Sequence, residues 1–150
     1  MTYFIWAVII FLTFILQASF SLFDVTPNLT VILAFYAGIR KGEVRGLLIG
    51  ALIGIIEDSL SGAFLGLNLL SKGLVGYFSS LMYSRYFIWT PLLGIISIMA
   101  FTLIDSFLVF ASRSIFERMP GTPGSAVFIF LIQAIMNALF GLLIKPAKKE

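Results

Sequence analysis

The chain has 150 residues, of which 60% are hydrophobic and 11% are charged, and its formal net charge is +3. A soluble domain of this length cannot bury so large an apolar fraction, so the composition favours an integral membrane protein. The sequence contains no Cys and no His, which excludes disulfides, thiolate nucleophiles and imidazole acid–base chemistry.

The apolar segments are long enough for about six membrane-spanning helices of roughly 20 residues each. We therefore predict a single transmembrane domain over residues 1–150, an all-α bundle of about six transmembrane helices. The predicted spans are 3–23, 27–39, 45–58, 65–84, 91–112 and 126–144. In the connection before the second span, Thr26 is the predicted N-cap and Pro27 the first helical residue. Residues 57–65 fit either a loop or a re-entrant break, which would require burial in protein or a water-lined cavity.

The basic residues predict the orientation of the bundle. With both termini in the cytoplasm, seven of them face the cytoplasm, as the positive-inside rule favours. These seven are Arg40, Lys41, Arg45, Arg85, Lys145, Lys148 and Lys149. Arg113 and Arg118 would lie outside, and Lys72 lies within a span. Because the charges are dispersed at span ends, they indicate membrane orientation and not nucleic-acid binding.

A series of small residues runs through the third predicted span at every fourth position and ends near a carboxylate. Its members are Gly46, Gly50 and Gly54, and the carboxylate is that of Asp58. Gly62 and Gly66 continue the four-residue spacing past the predicted bend. On a helix this spacing gives a slanted stripe without side chains, which lets another backbone approach closely. Two interpretations are open. The stripe packs against a helix of the same chain, or it receives a helix of a partner protein.

Four charged residues lie inside the predicted spans: Glu57, Asp58, Lys72 and Asp105. Counting about 1.5 Å per helical residue places all four in one polar layer in the outer third of the bilayer. A charge that faces lipid is costly, so we expect these side chains to face inwards and to pair, Asp58 with Lys72 first.

Three carboxylates exceed one ammonium, and the sequence leaves several ways to balance the layer. The alternatives are that one or two acids are protonated, that Arg113 reaches the layer, that water enters it, or that a partner supplies a cation. The layer is then a self-satisfied polar plug, a site for a partner or ligand, or a path for protons or ions. On the sixth span, Gln133 and Asn137 lie one turn apart and predict hydrogen bonds between helices.

No catalytic set assembles from these residues. Nucleophilic systems that depend on His or Cys cannot exist in this chain. The residues flanking Asp58 and Asp105 lack the motifs of aspartyl intramembrane proteases, and no phosphate-binding glycine loop is present. We therefore predict a protein that is not an enzyme, with no cofactor and no metal site.

The segment from Gly46 to Leu70 carries spaced glycines, an Asp, a small Gly-containing turn and a Gly-Leu pair that enters the next helix. This order resembles the MreD family, the small membrane subunits of the bacterial rod-shape machinery. Gly76 and Tyr77 match the continuation of the family pattern. The segment Pro27-Asn28-Leu29 resembles the Pro-Asp-Leu that opens the family's second helix, with Asn28 in place of the acid. With its short length and basic tail, the chain resembles the family over most of its extent.

The resemblance implies a non-enzymatic, multi-pass protein of the bacterial cytoplasmic membrane. MreD-like proteins act with MreC, which has one membrane span and a large extracytoplasmic domain. Their assembly connects the actin-like MreB filament to the peptidoglycan polymerase and transpeptidase pair. We expect the glycine series and the carboxylate of Asp58 to contact the MreC helix, and membrane lipids to surround the rest of the bundle.

A second resemblance concerns the substrate-binding subunits of energy-coupling-factor vitamin transporters. The six-helix architecture and the glycine-rich spans are similar to that fold, in which the polar layer would become a solute pocket. Those subunits usually carry an Ala-x-x-x-Ala pattern in the first helix, whereas Ala7 and Ala18 here are eleven residues apart. A vitamin-binding transporter subunit is therefore the alternative function.

Overall fold

The computed structural model describes residues 2–21, 24–62, 65–83, 89–116 and 123–144, and the regular secondary structure within these ranges is helical. An α-helix lies in each of the six regions predicted as spans. The helices are α1 (Thr2–Ser19), α2 (Leu29–Lys41), α3 (Glu43–Ser61), α4 (Leu67–Leu81), α5 (Pro91–Phe116) and α6 (Pro123–Ala138). A short 3-10 helix, Leu139–Leu142, extends α6. The predicted all-α class is therefore confirmed.

Polarity is distributed in the opposite sense to that of a soluble protein. Large apolar side chains cover the outside, among them Phe11, Leu70 and Phe107, each more than 60% exposed. In contrast, Lys72 and Asp105 are completely buried. An apolar exterior of this extent needs an apolar surrounding, because water would leave it unstable.

Within the described ranges, two helical segments are long and apolar enough to cross a membrane. They are Pro91–Phe116 and Gly124–Leu142, with 26 and 19 residues. The number of spans and the cytoplasmic location of both termini stay predictions. Arg85 and the basic tail after residue 144 lie outside the described residues.

The second helix begins two residues later than predicted. Asn28 is its N-cap, and the side-chain Oδ1 of Asn28 accepts a hydrogen bond from the backbone N–H of Val31 at 3.4 Å. The prediction that Thr26 caps this helix is wrong. The carbonyl of Thr26 instead accepts a hydrogen bond from the side chain of Gln133 at 2.9 Å, so that residue is held by α6.

The third and fourth helices are also bounded differently from the prediction. Helix α3 continues to Ser61, so Glu57 and Asp58 lie within its last two turns. Gly62 and Gly66, with φ angles of +64° and +123°, turn the chain towards α4. A side chain at either glycine would meet open space, so the backbone conformation is what requires glycine there. Gly62 and Gly66 therefore do not extend the helical stripe.

The most extensive contact between two helices of the bundle is that of α3 with α4. A Cβ atom at Gly46 would lie 2.5 Å from the carbonyl oxygen of Gly76, and one at Gly50 would collide with the carbonyl of Lys72. At Gly54 the same collision would occur with the carbonyl of Asn68. The stripe therefore packs against a helix of its own chain. This contact leaves no room on the glycine face for the partner helix that the other interpretation requires.

A second close approach joins α5 to the 3-10 helix. A Cβ atom at Gly94 would lie 2.5 Å from the carbonyl oxygen of Gly141, and a Cβ at Gly141 would meet the backbone of Ile95 at the same distance. The two glycines are far apart in the sequence and belong to no repeating pattern. Sequence analysis therefore did not single them out.

We predict that Gly50→Ala destabilises the bundle by about 1–3 kcal/mol, because its methyl group has to displace the backbone of α4. The matched control is Gly124→Ala in the first turn of α6, where a Cβ atom meets nothing within 4 Å. That variant should unfold like the unmodified chain or slightly later, since Ala favours a helix over Gly. Thermal unfolding in detergent measures both. Equal melting temperatures for the two variants would contradict the close contact.

Candidate functional site: a buried polar cluster and its cavity

The ammonium group of Lys72 is at the centre of a buried polar cluster formed by α3, α4 and α5. Its Nζ atom lies 3.0 Å from Glu57 Oε2 and 3.4 Å from Asp105 Oδ2. It also donates a hydrogen bond to Asn68 Oδ1 at 2.7 Å. Lys72 and Asp105 are completely buried, and the side chain of Glu57 is 18% exposed. Three of the four residues predicted to form the polar layer are thus in direct contact.

Asp105 has two further partners that keep its carboxylate in place. Ser71 donates a short hydrogen bond to Oδ1, and the side-chain amide of Asn28 donates to Oδ2 at 2.7 Å. Where the family pattern has an acid, Asn28 supplies an N–H donor. An Asp at this position would place a second carboxylate against Asp105, so the amide suits the arrangement in this chain.

Asp58 lies beside the cluster but does not pair with Lys72, so that predicted pairing is wrong. Its carboxylate accepts hydrogen bonds from the backbone N–H groups of Gly66, Asn68 and Leu69 at 2.8, 3.1 and 3.3 Å. The side-chain amide of Asn68 also donates to it at 2.8 Å.

The carboxylate of Asp58 therefore caps the N-terminus of α4. The N-cap residue itself, Gly66, has no side chain to do so. The exposed N–H groups and the dipole of α4 favour a negative charge at this end. The N-terminus of α4 thus stabilises the negative charge of Asp58. Lys72 pairs instead with the carboxylates of Glu57 and Asp105.

A cavity of about 310 Å³ adjoins the cluster at this end of the bundle. Both polar and apolar side chains line it. The lining residues are Gln17, Thr26, Asn28, Glu57, Ser61, Asn68, Asp105, Ser106, Val109, Phe110, Arg113, Phe130 and Gln133. Arg113 therefore lines the same cavity as Glu57 and Asp105, and its role in balancing the charge of the layer stays a prediction. We call this space the polar cavity.

Gln133 and Asn137 hold α6 to the rest of the bundle, so the predicted hydrogen bonds between helices are confirmed. The side-chain oxygen of Gln133 accepts a hydrogen bond from Ser106 at 3.1 Å. The side-chain amide of Asn137 donates to the carbonyl of Asn28 at 2.9 Å and to the hydroxyl of Thr102 at 3.0 Å. The role that these hydrogen bonds give to both residues is to join α6 to the neighbouring elements.

The chemistry available to the site is recognition by charge and hydrogen bonding. The carboxylates of Glu57, Asp58 and Asp105 are each engaged by donors of the same chain. Among the described residues, no three acidic side chains gather in a way that would hold a metal ion. An ammonium group locked between two acids has no free lone pair, so it offers no nucleophile.

A family model described as rod shape-determining protein MreD matches residues 1–146. The chain belongs to the MreD family. Membership makes this a membrane protein with a role in rod shape determination, in a family of structural proteins that is not known to contain enzymes. No curated protein and no solved structure matches the chain.

Sequence analysis missed the neutral members of the cluster, chiefly Asn28, Asn68 and Ser71. One signal was available for Asn68, which lies four residues before Lys72 and thus one helical turn away on the same face. For Asn28 no such signal existed, because its contact with Asp105 joins residues 77 positions apart.

We predict that Lys72→Met destabilises this MreD protein by about 3–5 kcal/mol, because it leaves two buried carboxylates without their counter-ion. Adding Asp105→Asn to that variant should recover part of the loss, since one of the two negative charges is then gone. The control Lys41→Met removes a partly exposed charge without an ion pair in the described chain, and should cost less than about 0.5 kcal/mol. Unfolding in detergent measures all three. A Lys72→Met protein as stable as the unmodified chain would show that the ion pairs carry little energy.

Proposed function

We propose that this chain is a non-enzymatic scaffold subunit of the rod-shape machinery and crosses the bacterial cytoplasmic membrane several times. Membership of the MreD family, over residues 1–146, is the observation that carries this proposal. The apolar exterior supports embedding in lipid on most sides of the bundle. The carboxylates of Glu57, Asp58 and Asp105, each engaged by donors of the same chain, support a structural role.

We further propose that the chain binds MreC and thereby helps to couple MreB filaments to the peptidoglycan polymerase and transpeptidase pair. The glycine face does not support this contact, because α4 covers it. The polar cavity is a polar surface that α4 does not cover, and three of the residues that line it, Glu57, Asn68 and Asp105, belong to or contact the buried cluster. The polar cavity lies at the end of the bundle opposite to Arg40, Lys41 and Arg45. The positive-inside rule predicts that these three residues face the cytoplasm, so the cavity is predicted to lie at the extracytoplasmic end.

The lining of the polar cavity suits a protein segment that leaves the membrane. A chain at this depth needs partners for its backbone N–H and C=O groups wherever it is not helical. Gln133, Arg113 and Glu57 are among its polar lining residues, and Phe110 and Phe130, which also line it, pack edge to face with ring centroids 5.8 Å apart. MreC, with one span and an extracytoplasmic domain, has such a segment where its span ends.

The transporter-subunit alternative depends on the same cavity holding a small solute. A volume of about 310 Å³ is at the lower limit of common ligand pockets. The match to a shape-determining family over almost the whole chain favours the scaffold instead. A vitamin that copurifies in equal molar amount would reverse this choice.

We predict that Ser61→Trp, which places a large ring at the mouth of the polar cavity, lowers copurification of MreC at least about fivefold. The matched control is Leu60→Trp on the neighbouring residue, which is 68% exposed and does not line the cavity. Both variants are compared with the unmodified chain by affinity purification in mild detergent, after a check that each elutes as one species.

Three results would count against the proposal. MreC retained by Ser61→Trp as well as by the unmodified chain would assign the contact to another surface. Loss of MreC from both tryptophan variants would indicate a general defect and not the cavity. If the unmodified chain itself fails to retain MreC, the partner proposal fails. In cells that lack their own MreD, the Leu60→Trp variant should restore rod shape and the Ser61→Trp variant should not.

A further inference from the structure

A second polar feature lies at the opposite end of the bundle, where α1 passes α2. Here a pocket of about 310 Å³ is lined by Ile5, Trp6, Ile9, Tyr36, Arg40 and Lys41. The described residues that line it belong to α1 and α2. We call it the basic pocket. Neither the polar cluster nor the proposed contact with MreC involves it.

Arg40, one of the two cations that line the basic pocket, lies over an aromatic ring. The guanidinium carbon of Arg40 lies 5.4 Å from the ring centroid of Tyr36, and Tyr36 in turn packs against Trp6 with ring centroids 6.0 Å apart. Within the part of the chain that the structure describes, Arg40 and Lys41 form no ion pair. Both cations thus line the pocket, and neither pairs with an acid among the described residues.

The opposite wall of the basic pocket is apolar and faces outwards. Ile5 and Ile9 lie one turn apart on α1 and are 54% and 36% exposed. A ligand that fills the pocket would therefore touch both hydrocarbon side chains and two cations. Trp6 also lines the pocket, and Trp is favoured at the boundary between hydrocarbon and headgroups.

We propose that the basic pocket binds an anionic phospholipid, with its phosphate between Arg40 and Lys41 and an acyl chain along Ile5 and Ile9. Guanidinium and ammonium groups bind phosphate oxygens through charge-assisted hydrogen bonds. A zwitterionic headgroup carries its own cation, which Arg40 and Lys41 repel, so the pocket selects net negative charge. This inference depends on the membrane location of the protein and not on the proposed partner.

The test is native mass spectrometry of the detergent-purified full chain with equal amounts of phosphatidylglycerol and phosphatidylcholine. The unmodified chain should retain phosphatidylglycerol preferentially. The double variant Arg40→Gln with Lys41→Gln should retain about 25-fold less, from about fivefold for each charge near a membrane surface. The matched control is Arg45→Gln, an exposed cation at the same end of the bundle that does not line the pocket. It should retain phosphatidylglycerol like the unmodified chain.

A second variant separates the pocket from the charge. Ile9→Trp fills the apolar wall and leaves both cations, so it should also lower retention of phosphatidylglycerol. Inorganic phosphate at millimolar concentration should not displace the lipid, because it lacks the acyl chain. Equal retention of the two lipids, or equal loss in the pocket variants and in Arg45→Gln, would overturn the proposal. Displacement by inorganic phosphate alone would also overturn it and reduce the site to a simple anion site.

Discussion

A positive charge inside an apolar bundle needs negative charges close to it, and in this protein the buried cation is the ammonium group of Lys72. Its partners come from two other helices, Glu57 on α3 and Asp105 on α5. These acids in turn engage Thr30 and Asn28 at the start of α2. Four helices therefore meet at one charge. Since an unpaired charge would be far more costly here than in water, we infer that this cluster fixes the helices in register.

The glycine stripe and the ion pair between Glu57 and Lys72 both belong to the contact between α3 and α4. The backbone of Lys72 lies against Gly50, while the side chain of the same residue reaches Glu57 on the same helix α3. A larger residue at position 50 would move α4 outwards and lengthen the ion pair. Close packing of small residues and satisfaction of buried polar groups are the two ways by which membrane helices associate, and Lys72 uses both.

The helices and the charged residues of the polar layer could be predicted from the sequence, but not the neutral members of the cluster or the pairing within it. Hydropathy and helix breakers depend on local residues, so each of the six regions could be recognised. The partner of Asp58 depends on how Gly62 and Gly66 turn the chain, because that turn brings the N-terminus of α4 onto the carboxylate. The glycine pair of α5 and the 3-10 helix depends on packing between distant segments, which no local pattern reports.

The bonds of Asp58 also differ from the others in how far they reach along the chain. They close within eleven residues, so the α3–α4 hairpin supplies the hydrogen-bond donors of this carboxylate by itself. Lys72 and Glu57 belong to the same hairpin, whereas Asp105 and Asn28 come from outside it. Two of the three acids thus have their partners within the hairpin. Helix α5 packs against a hairpin whose polar groups are already engaged, and Asp105 adds a second carboxylate to the cation that Glu57 contacts.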